Sequence, residues 1–327
     1  MPQTGKHRLP VLAVDLGGTK IITAIVSVDG QVIAKERSLT LADEGPSSVI
    51  NRLLEAIDHL LSSKSMDSSQ LGCISLAVAG GIDIARGLVT SSPHLPGWHD
   101  VPLRDMLKNK YHVATFLLND ASATALGEYR FGVGRGVNNL VLLTIGTGIG
   151  GGIIIDGKLY NGPSGSAGEL GHMTVDIDGP KCVCGNIGCL ETLVSGPVMA
   201  GEAVKQINQG ASSSLVEMVA GRIEDITAED IGAAARAGDS LSLKIITEAA
   251  TYLGVGLVNI VNIFNPEMII LAGGVAELGG LLLDPAWRVV KERAFPVSTQ
   301  VVRIVTAELG DEAAVRGAAV FALEQEG

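Results

Sequence analysis

The stretch that decides the fold is "VLAVDLGGTKIITAIVSVDG", residues 11–30. Apolar runs on both sides of "DLGGTK" predict two β-strands joined by a glycine turn. The pair Asp29-Gly30 predicts a tight hairpin turn into a third strand, "QVIAKERSL". The stretch therefore predicts the start of a β-sheet, with a glycine turn at the end of its first strand.

A second stretch repeats this order. In "NLVLLTIGTGIGGGIIIDG", residues 139–157, an apolar strand, a glycine turn and a second apolar strand precede Asp156-Gly157, which again predicts a hairpin turn. We interpret the match as an internal duplication, with two similar α/β halves facing each other across a cleft. A chance similarity of two hairpins is the alternative.

The rest of the chain alternates apolar strands with amphipathic helices. Helical spacing in "PSSVINRLLEAIDHLLSS" and "DEAAVRGAAVFALEQ" predicts two helices, "LGCISLAVAGG" and "HVATFLLND" are predicted strands, and "EMIILAGGVAELGG" predicts a strand, a turn and a helix start. No linker separates the halves, so the boundary near Asn119 rests on the repeat. We expect a small domain of residues 1–118 with the C-terminal helix, about 310–327, and a large domain of residues 119–309 that carries the cysteine loop.

The composition of the chain argues against some classes of binding partner. The chain has 327 residues, a net charge of −11 and 3% aromatic residues. Phosphate neutralisation needs a surplus of Lys and Arg, so the acidic balance argues against a nucleic-acid partner. No secretory signal is recognised. Two uncharged stretches, "GVNNLVLLTIGTGIGGGIII" and "AATYLGVGLVNIVNIFNP", are predicted to be buried parts of a globular core rather than membrane spans. We expect a cytoplasmic protein with reduced thiols.

Three glycine-rich turns occur, at residues 15–20, 146–152 and 272–280. Glycine lets backbone N–H groups approach an anion closely, so three such turns in duplicated halves favour a nucleotide, with two at the phosphates and the third beside the base. The dinucleotide fingerprint is excluded because a strand follows the second turn, and no P-loop pattern is present. Asp15 can orient Mg²⁺ through water; a turn-capping role is the alternative.

Three of the four cysteines lie in "CVCGNIGC", residues 182–189. Adjacent C-x-C residues rarely pair with each other, and Cys182, Cys184 and Cys189 cannot all form disulfides. With His172 they make a Cys₃His set, which suits tetrahedral zinc; reduced free thiols are the alternative. Cys73, on an apolar strand, is predicted to be a core residue.

Several long motifs together resemble the ROK family, the bacterial sugar kinases and related repressors of the actin–hexokinase superfamily. They are "DLGGTK", "LLNDASATALGE", "LTIGTGIGGGIIIDGKLYNGPSGSAGELGH", "CVCGNIGCLE" and "IILAGGVA". The resemblance extends over nearly the whole chain. It implies an actin/hexokinase-like (ribonuclease H-like) fold of duplicated α/β domains around a cleft, with the Cys₃His set as a structural zinc site.

The resemblance also implies roles for particular residues. Asp120 matches the family's general base, although a helix N-cap is the alternative from the residues alone. Sugar contacts are implied for Gly80, Asn119, Asp120, Glu169, His172 and Glu191. The Gly80 loop departs from the family pattern, which often has proline where this chain has Ala79. Nucleotide contacts are implied for Asp15, Gly17, Gly18, Thr19, Lys20, Thr147, Gly148, Gly273 and Gly274. His94 and His99, in "PHLPGWH", are interpreted as part of a structural or lid loop.

The function implied is an ATP-dependent hexose kinase, most like the family's glucokinases, with Mg²⁺ and a structural Zn²⁺. Kinases for N-acetylmannosamine, fructose or allose are alternatives, because specificity depends on loop shape. A sugar-responsive repressor is the other alternative. Such repressors carry a helix-turn-helix domain before the first strand, whereas only about ten residues precede "VLAVDLGG" here. We expect a homodimer or homotetramer with no nucleic-acid or membrane partner.

Overall fold

A computed structural model describes residues 9–326 of the chain. The strands are β1 (Val11–Leu16), β2 (Lys20–Val26), β3 (Val32–Leu39), β4 (Cys73–Val78), β5 (Gly81–Asp83), β6 (Leu88–Ser91), β7 (His99–Val101), β8 (Ala114–Asn119), β9 (Leu140–Ile145), β10 (Ile149–Ile155), β11 (Lys158–Leu159), β12 (Met268–Ala272) and β13 (Arg303–Thr306). The helices are α1 (Pro46–Ser63), α2 (Leu103–Tyr111), α3 (Asp120–Phe131), α4 (Glu191–Val194), α5 (Gly196–Asn208), α6 (Leu215–Met218), α7 (Ala228–Arg236), α8 (Ser240–Phe264), α9 (Gly280–Arg293), α10 (Pro296–Thr299) and α11 (Ala313–Glu326).

Two five-stranded sheets repeat one strand order. The first runs β3-β2-β1-β4-β8 and the second β11-β10-β9-β12-β13, so each places its first hairpin strand in the centre and its last strand at an edge. In the first sheet β4 pairs in parallel with β1 and β8, and in the second β12 pairs in parallel with β9 and β13. This shared topology confirms the predicted duplicated α/β fold.

The chain divides by its contacts into two compact units. The first comprises the described residues up to Asn138, Gly152–Gly168 and those from Glu308 onward; the second comprises Asn139–Gly151 and Glu169–Ala307. Strand β10 begins in the second unit and ends in the first. The chain therefore crosses between the units four times, and the last crossing precedes Glu308.

The first unit packs helices on both faces of its sheet. On one face Leu12, Val14 and Leu16 of β1 join a core cluster that includes Leu53 and Ile57 of α1. The predicted helix at residues 46–63 is confirmed, and its apolar stripe is what this face buries. On the other face α11 packs against α3, β1 and β4.

Helices α3 and α11 approach each other backbone to backbone. A Cβ on Gly127 would lie 2.0 Å from the Ala313 carbonyl oxygen, and a Cβ on Gly317 would lie 1.7 Å from that of Ala123. Only residues without a side chain fit at these two points. The small residues of "DEAAVRGAAVFALEQ" therefore fix the position of α3, the helix that begins at Asp120.

The second unit is built around α8, a 25-residue helix. It packs against α4, α5, α7, α9 and α10, and Gly254 lets it approach Val289 of α9. Among residues 9–326, α8 is the one helix long and apolar enough to cross a bilayer, and 56% of its most apolar window is buried within the protein. Core helices pass the same composition test, and the buried face of α8 shows the packing of a core helix.

Candidate active site and metal centre

The sheet of the first unit brings three predicted site segments to one edge. In the parallel register of β1, β4 and β8, Leu16 lies opposite Val78 and Val78 opposite Asn119. The "DLGGTK" turn, the loop at Gly80 and Asp120 all leave the sheet within two residues of that row. The carboxyl ends of parallel strands are where ligands bind in open α/β sheets.

Asn119 is the N-cap of α3, and Asp120 is its first residue. The Asn119 side-chain oxygen accepts hydrogen bonds from the N–H groups of Ala121 and Ser122 at 2.9 and 3.1 Å. The capping role considered for Asp120 therefore falls mainly to Asn119, although an Asp120 carboxylate oxygen also accepts from the Ala121 N–H at 2.9 Å. Capping places the Asp120 carboxyl at the positive end of the helix dipole.

The loop at Gly80 is tied directly to Asn119. The Asn119 Nδ2 donates to the Gly80 carbonyl oxygen at 3.2 Å. Gly80 has a φ of +132°, and a Cβ there would lie 2.4 Å from the Ser91 carbonyl oxygen. Glycine is therefore required at this position, even though Ala79 replaces the proline common in the family.

The "DLGGTK" turn is closed by hydrogen bonds, and its first residue, Asp15, lies near other charged side chains. The Gly17 N–H donates to the Lys20 carbonyl oxygen at 3.0 Å, and the Thr40 hydroxyl donates to the Gly17 carbonyl oxygen at 2.7 Å. Burial, and secondarily the negative charge of Asp120, raise the pKa of Asp15 to about 7. A divalent cation near this turn would offset that concentration of negative charge.

Lys20 forms an ion pair that the sequence did not indicate. Its ammonium donates to the carboxylate of Asp311, which lowers the pKa of that carboxyl group. The two residues are 291 positions apart. No local pattern signals such a contact, and Asp311 is absent from the residues predicted to bind nucleotide.

In the second unit, the turn of residues 146–148 is fixed by Glu191. The Ile149 N–H donates to a Glu191 carboxylate oxygen at 2.8 Å, and the Gly146 N–H donates to the Gly148 carbonyl oxygen at 2.9 Å. Thr147 lies exposed at the tip of this turn. Glu191, predicted to contact sugar, therefore also orders the predicted nucleotide turn.

The third glycine turn lies beside the second. Ala272, the last residue of β12, pairs with Thr144 of β9. A Cβ on Gly273 would lie 2.5 Å from the Ile145 carbonyl oxygen. The sequence predicted a helix start after this turn, whereas a short 3₁₀ helix, Gly274–Leu278, comes first and α9 begins at Gly280.

The four predicted metal ligands meet in one cluster. One ligand atom each from His172, Cys182, Cys184 and Cys189 lies within 4.8 Å of all the others. The Cys182 Sγ is 3.6 Å from the His172 Nδ1, and the Cys184 Sγ is 3.7 Å from the Cys189 Sγ. A tetrahedron with Zn–S bonds of about 2.3 Å has S–S edges of about 3.8 Å, so these separations fit a zinc ion.

The same imidazole has a second neighbour. The His172 Nε2 lies 3.9 Å from a carboxylate oxygen of Glu169, whereas the Nδ1 is the ring nitrogen near Cys182. Glu169 is exposed and precedes the short 3₁₀ helix Leu170–His172. A metal ion bound by this cluster would therefore fix the orientation of a histidine whose other nitrogen faces a predicted sugar-binding carboxylate.

Glu128 is a second residue whose role was not predicted from the sequence. Its carboxylate is fully buried and accepts hydrogen bonds from the N–H groups of Val133, Glu308 and Leu309 at 3.1, 2.9 and 2.8 Å. These bonds anchor the segment at which the chain re-enters the first unit. The motif "LLNDASATALGE" contains Glu128, but its partners lie up to 181 residues away.

Comparison with known proteins gives consistent matches over the full length. A glucokinase of Thermotoga maritima is 36% identical over 98% of this chain and 99% of its own length. The crystal structure of a ROK family glucokinase from Streptomyces griseus in complex with glucose and AMPPNP is 32% identical, with a TM-score of 0.84 over 96% of this chain and 99% of that one.

A relative of another kind also matches. The xylose repressor of Caldicellulosiruptor bescii is 33% identical over 96% of this chain and 78% of the repressor. The family model described as "ROK family" matches residues 11–325. The actin/hexokinase-like fold that the sequence motifs implied is thereby confirmed, and this chain belongs to the ROK family.

Proposed function

We propose that this protein is an ATP-dependent glucokinase that phosphorylates the 6-hydroxyl of glucose. The observation that carries the proposal is the row Leu16–Val78–Asn119, which brings a phosphate-type glycine turn and the Asp120 carboxyl to one edge of a sheet. The similar glucokinase from S. griseus, crystallised with glucose and AMPPNP, supports the choice of substrates. Phosphoryl transfer to a sugar needs these two elements, a phosphate cradle and a base.

Asp120 is assigned as the general base. It accepts the proton of the sugar 6-hydroxyl as that oxygen attacks the γ-phosphate, and the bond from the γ-phosphorus to the bridging oxygen of ADP breaks. The sugar hydroxyls are assigned to Gly80, Asn119, Asp120, Glu169, His172 and Glu191. Carboxylates suit this role because their hydrogen bonds to hydroxyls are charge-assisted.

The phosphates are assigned to the glycine turns. Gly17, Gly18, Thr19 and Lys20 would hold the γ-phosphate side, Thr147 and Gly148 the remaining phosphates, and Gly273 and Gly274 the base. Mg²⁺ supplies charge neutralisation on the phosphates when bound, and Asp15 is the residue assigned to orient it through water. The clustered carboxyl groups around Asp15 support this assignment.

The Cys₃His cluster is assigned to a structural zinc ion. All four ligands come from the protein, which leaves no open coordination position for water or substrate. The zinc would stiffen the loop between Glu169 and Glu191 rather than take part in the reaction. The donor set and the separations of the ligand atoms support zinc over harder cations.

An assay of ADP release over a panel of hexoses tests the proposal. Glucose should give the highest kcat/KM with ATP, ahead of mannose, N-acetylmannosamine, fructose and allose. Guanosine triphosphate, other nucleotides and polyphosphate serve as alternative donors in the same assay. ADP release with no hexose in the panel would contradict the proposed activity, and a preference for N-acetylmannosamine, fructose or allose would redirect it to that sugar.

The repressor function is the second candidate, because a xylose repressor is also 33% identical. Sugar binding without ADP release would favour the repressor function.

We further propose a cytoplasmic homodimer or homotetramer. The molar mass of the protein, measured by light scattering, tests the oligomeric state. The division into a small α/β domain, residues 1–118 with the C-terminal helix at about 310–327, and a large α/β domain, residues 119–309 with the cysteine loop, stays a proposal.

A further inference from the structure

The "DLGGTK" turn, a candidate phosphate-binding turn, ends at Lys20, whose ammonium already has an anionic partner. Lys20 is the last residue of "DLGGTK" and the first of β2, and its ammonium is paired with Asp311. The Lys20 side chain is 29% exposed and that of Asp311 47%. Arg37 also reaches Asp311, at 3.8 Å, but its side chain is 63% exposed. Lys20 is therefore the closer and better shielded partner of this carboxylate.

Asp311 is held in place from two directions. It lies in the 3₁₀ helix Gly310–Glu312, directly after the backbone N–H groups that Glu128 binds. Directly after it, α11 begins at Ala313, whose carbonyl oxygen is in close contact with Gly127 of α3. The backbone on both sides is thus fixed to α3, and the Asp311 carboxylate is presented to Lys20 by the fold rather than by a flexible loop.

The charges near the turn are otherwise unfavourable for a phosphate. Asp120 and Asp311 both raise the pKa of Asp15, while Lys20 is the cation that lowers it. Lys20 is therefore a positive charge available to an incoming phosphate at this turn, and its ion pair with Asp311 partly neutralises it. A half-exposed ion pair is weak, so a phosphate group can replace the carboxylate as the partner of the ammonium.

We propose that Asp311 pairs with the Lys20 ammonium at the glycine turn and competes with the terminal phosphate of the nucleotide for it. The inference rests on the proposed kinase function and extends it to a residue near the opposite end of the chain. Asp311 lowers the affinity only for nucleotides that place a phosphate within reach of Lys20. Ligands without that phosphate are unaffected.

Calorimetric titration of the full chain with Mg²⁺-AMPPNP, adenosine and glucose tests the proposal. Asp311→Asn should bind AMPPNP about two- to fivefold more tightly, the size expected when a half-exposed ion pair is lost. Its affinities for adenosine and glucose, and its melting temperature, should stay at the values of the unaltered protein. A merely structural role for Asp311 would instead lower the melting temperature and weaken all three ligands together.

Two further variants separate competition for Lys20 from general charge repulsion. Glu312→Gln makes the same charge change one residue away, where the carboxylate pairs with Lys35 and Arg316, and should leave AMPPNP affinity within about twofold. In a Lys20→Met background, Asp311→Asn should no longer tighten AMPPNP binding. Equal tightening by Glu312→Gln, or by Asp311→Asn without the lysine, would overturn the inference.

The outcomes also separate this inference from the proposed function. If the unaltered protein binds no AMPPNP and releases no ADP with any hexose, the kinase proposal fails and the inference fails with it. If the unaltered protein is an active kinase but Asp311→Asn binds AMPPNP with unchanged or reduced affinity, only the competition between Asp311 and phosphate is refuted.

Discussion

At the scale of single residues, Asp120 is the residue proposed as the general base. It is the first residue of α3, directly after β8. Asn119 accepts the hydrogen bonds from two N–H groups that cap this helix, and the Asp120 carboxylate accepts one, from the Ala121 N–H. Its carboxyl therefore lies at a sheet edge beside the glycine turn of β1. This separation of roles between two adjacent residues could not be read from the pair "ND", because both side chains are good helix caps.

Replacement of Asp120 by asparagine tests the assignment of the base. Asp120→Asn keeps the size of the side chain but cannot accept the proton, so kcat should fall by about 10²–10⁴-fold. Glucose affinity, measured by calorimetry, should change far less. Asp43→Asn, at an exposed position of the same unit, is a control that should retain full activity. A near-normal kcat for Asp120→Asn would remove this residue as the base.

The pKa of Asp15 predicts a pH dependence of stability. An unfolded aspartate titrates near 3.8, whereas Asp15 in the folded protein titrates at about 7, chiefly because of burial. Between these values the folded state holds a proton that the unfolded state lacks, so the free energy of unfolding falls as pH rises through this interval. Above about pH 7 this contribution is constant.

Asp15→Asn removes the ionisable group and should remove this part of the dependence. With nucleotide absent and EDTA present, the melting temperature of the variant minus that of the unaltered protein should rise from pH 4 to pH 7 and then level off. Asp43→Asn should show no such trend. A difference that is flat across this range would show that the folded pKa of Asp15 is not raised.

At the scale of elements, the cysteine loop links the predicted sugar residues of the second unit. His172 contributes its Nδ1 side to the cluster and presents Nε2 towards Glu169, and Glu191 follows Cys189 by two residues. Ligand identity was readable from sequence because the cysteines are local. His172, ten residues before Cys182, completed the predicted Cys₃His set, with reduced free thiols as the alternative until the family resemblance favoured zinc.

Loss of the metal should loosen this loop. Cys184→Ser alters an exposed ligand, so it removes a metal bond without disturbing the core. The purified protein should contain about one zinc per chain by elemental analysis, and the variant should lose it and show a raised KM for glucose. Val183→Ser, at a neighbouring side chain that is 87% exposed, should keep both the zinc and the KM. Unaltered protein that is fully folded without zinc would refute the site.

Helix α3 shows how an element acquires its position. Its own sequence predicts only a helix, yet the close backbone contacts at Gly127 and Gly317 and the buried carboxylate of Glu128 decide where it lies. The buried side-chain oxygens of Glu128 are satisfied because three backbone N–H groups donate to them. The same contacts order the segment that carries Asp311, so α3 supports both the predicted base and the partner of Lys20.

At the scale of the whole molecule, the duplication predicted from two short hairpins is found as one strand order used twice. The sequence pattern predicted β1 to β4 and β8 to β12, the Asp-Gly turns and the helix at residues 46–63, because each depends on local periodicity and turn chemistry; the short strands β5 to β7 and β13 were not predicted. The chain's apolar helix α8 was also predicted as part of the core, and its buried residues pack against five other helices.

By itself, the sequence determined the α/β class, the three glycine turns, the four candidate metal ligands and the resemblance to sugar kinases, since each is encoded within short segments. Tertiary structure decided the row Leu16–Val78–Asn119 and the pairing of Lys20 with Asp311. Such contacts join residues tens to hundreds of positions apart. They depend on how elements pack, and packing is a property of the assembled core that no local pattern contains.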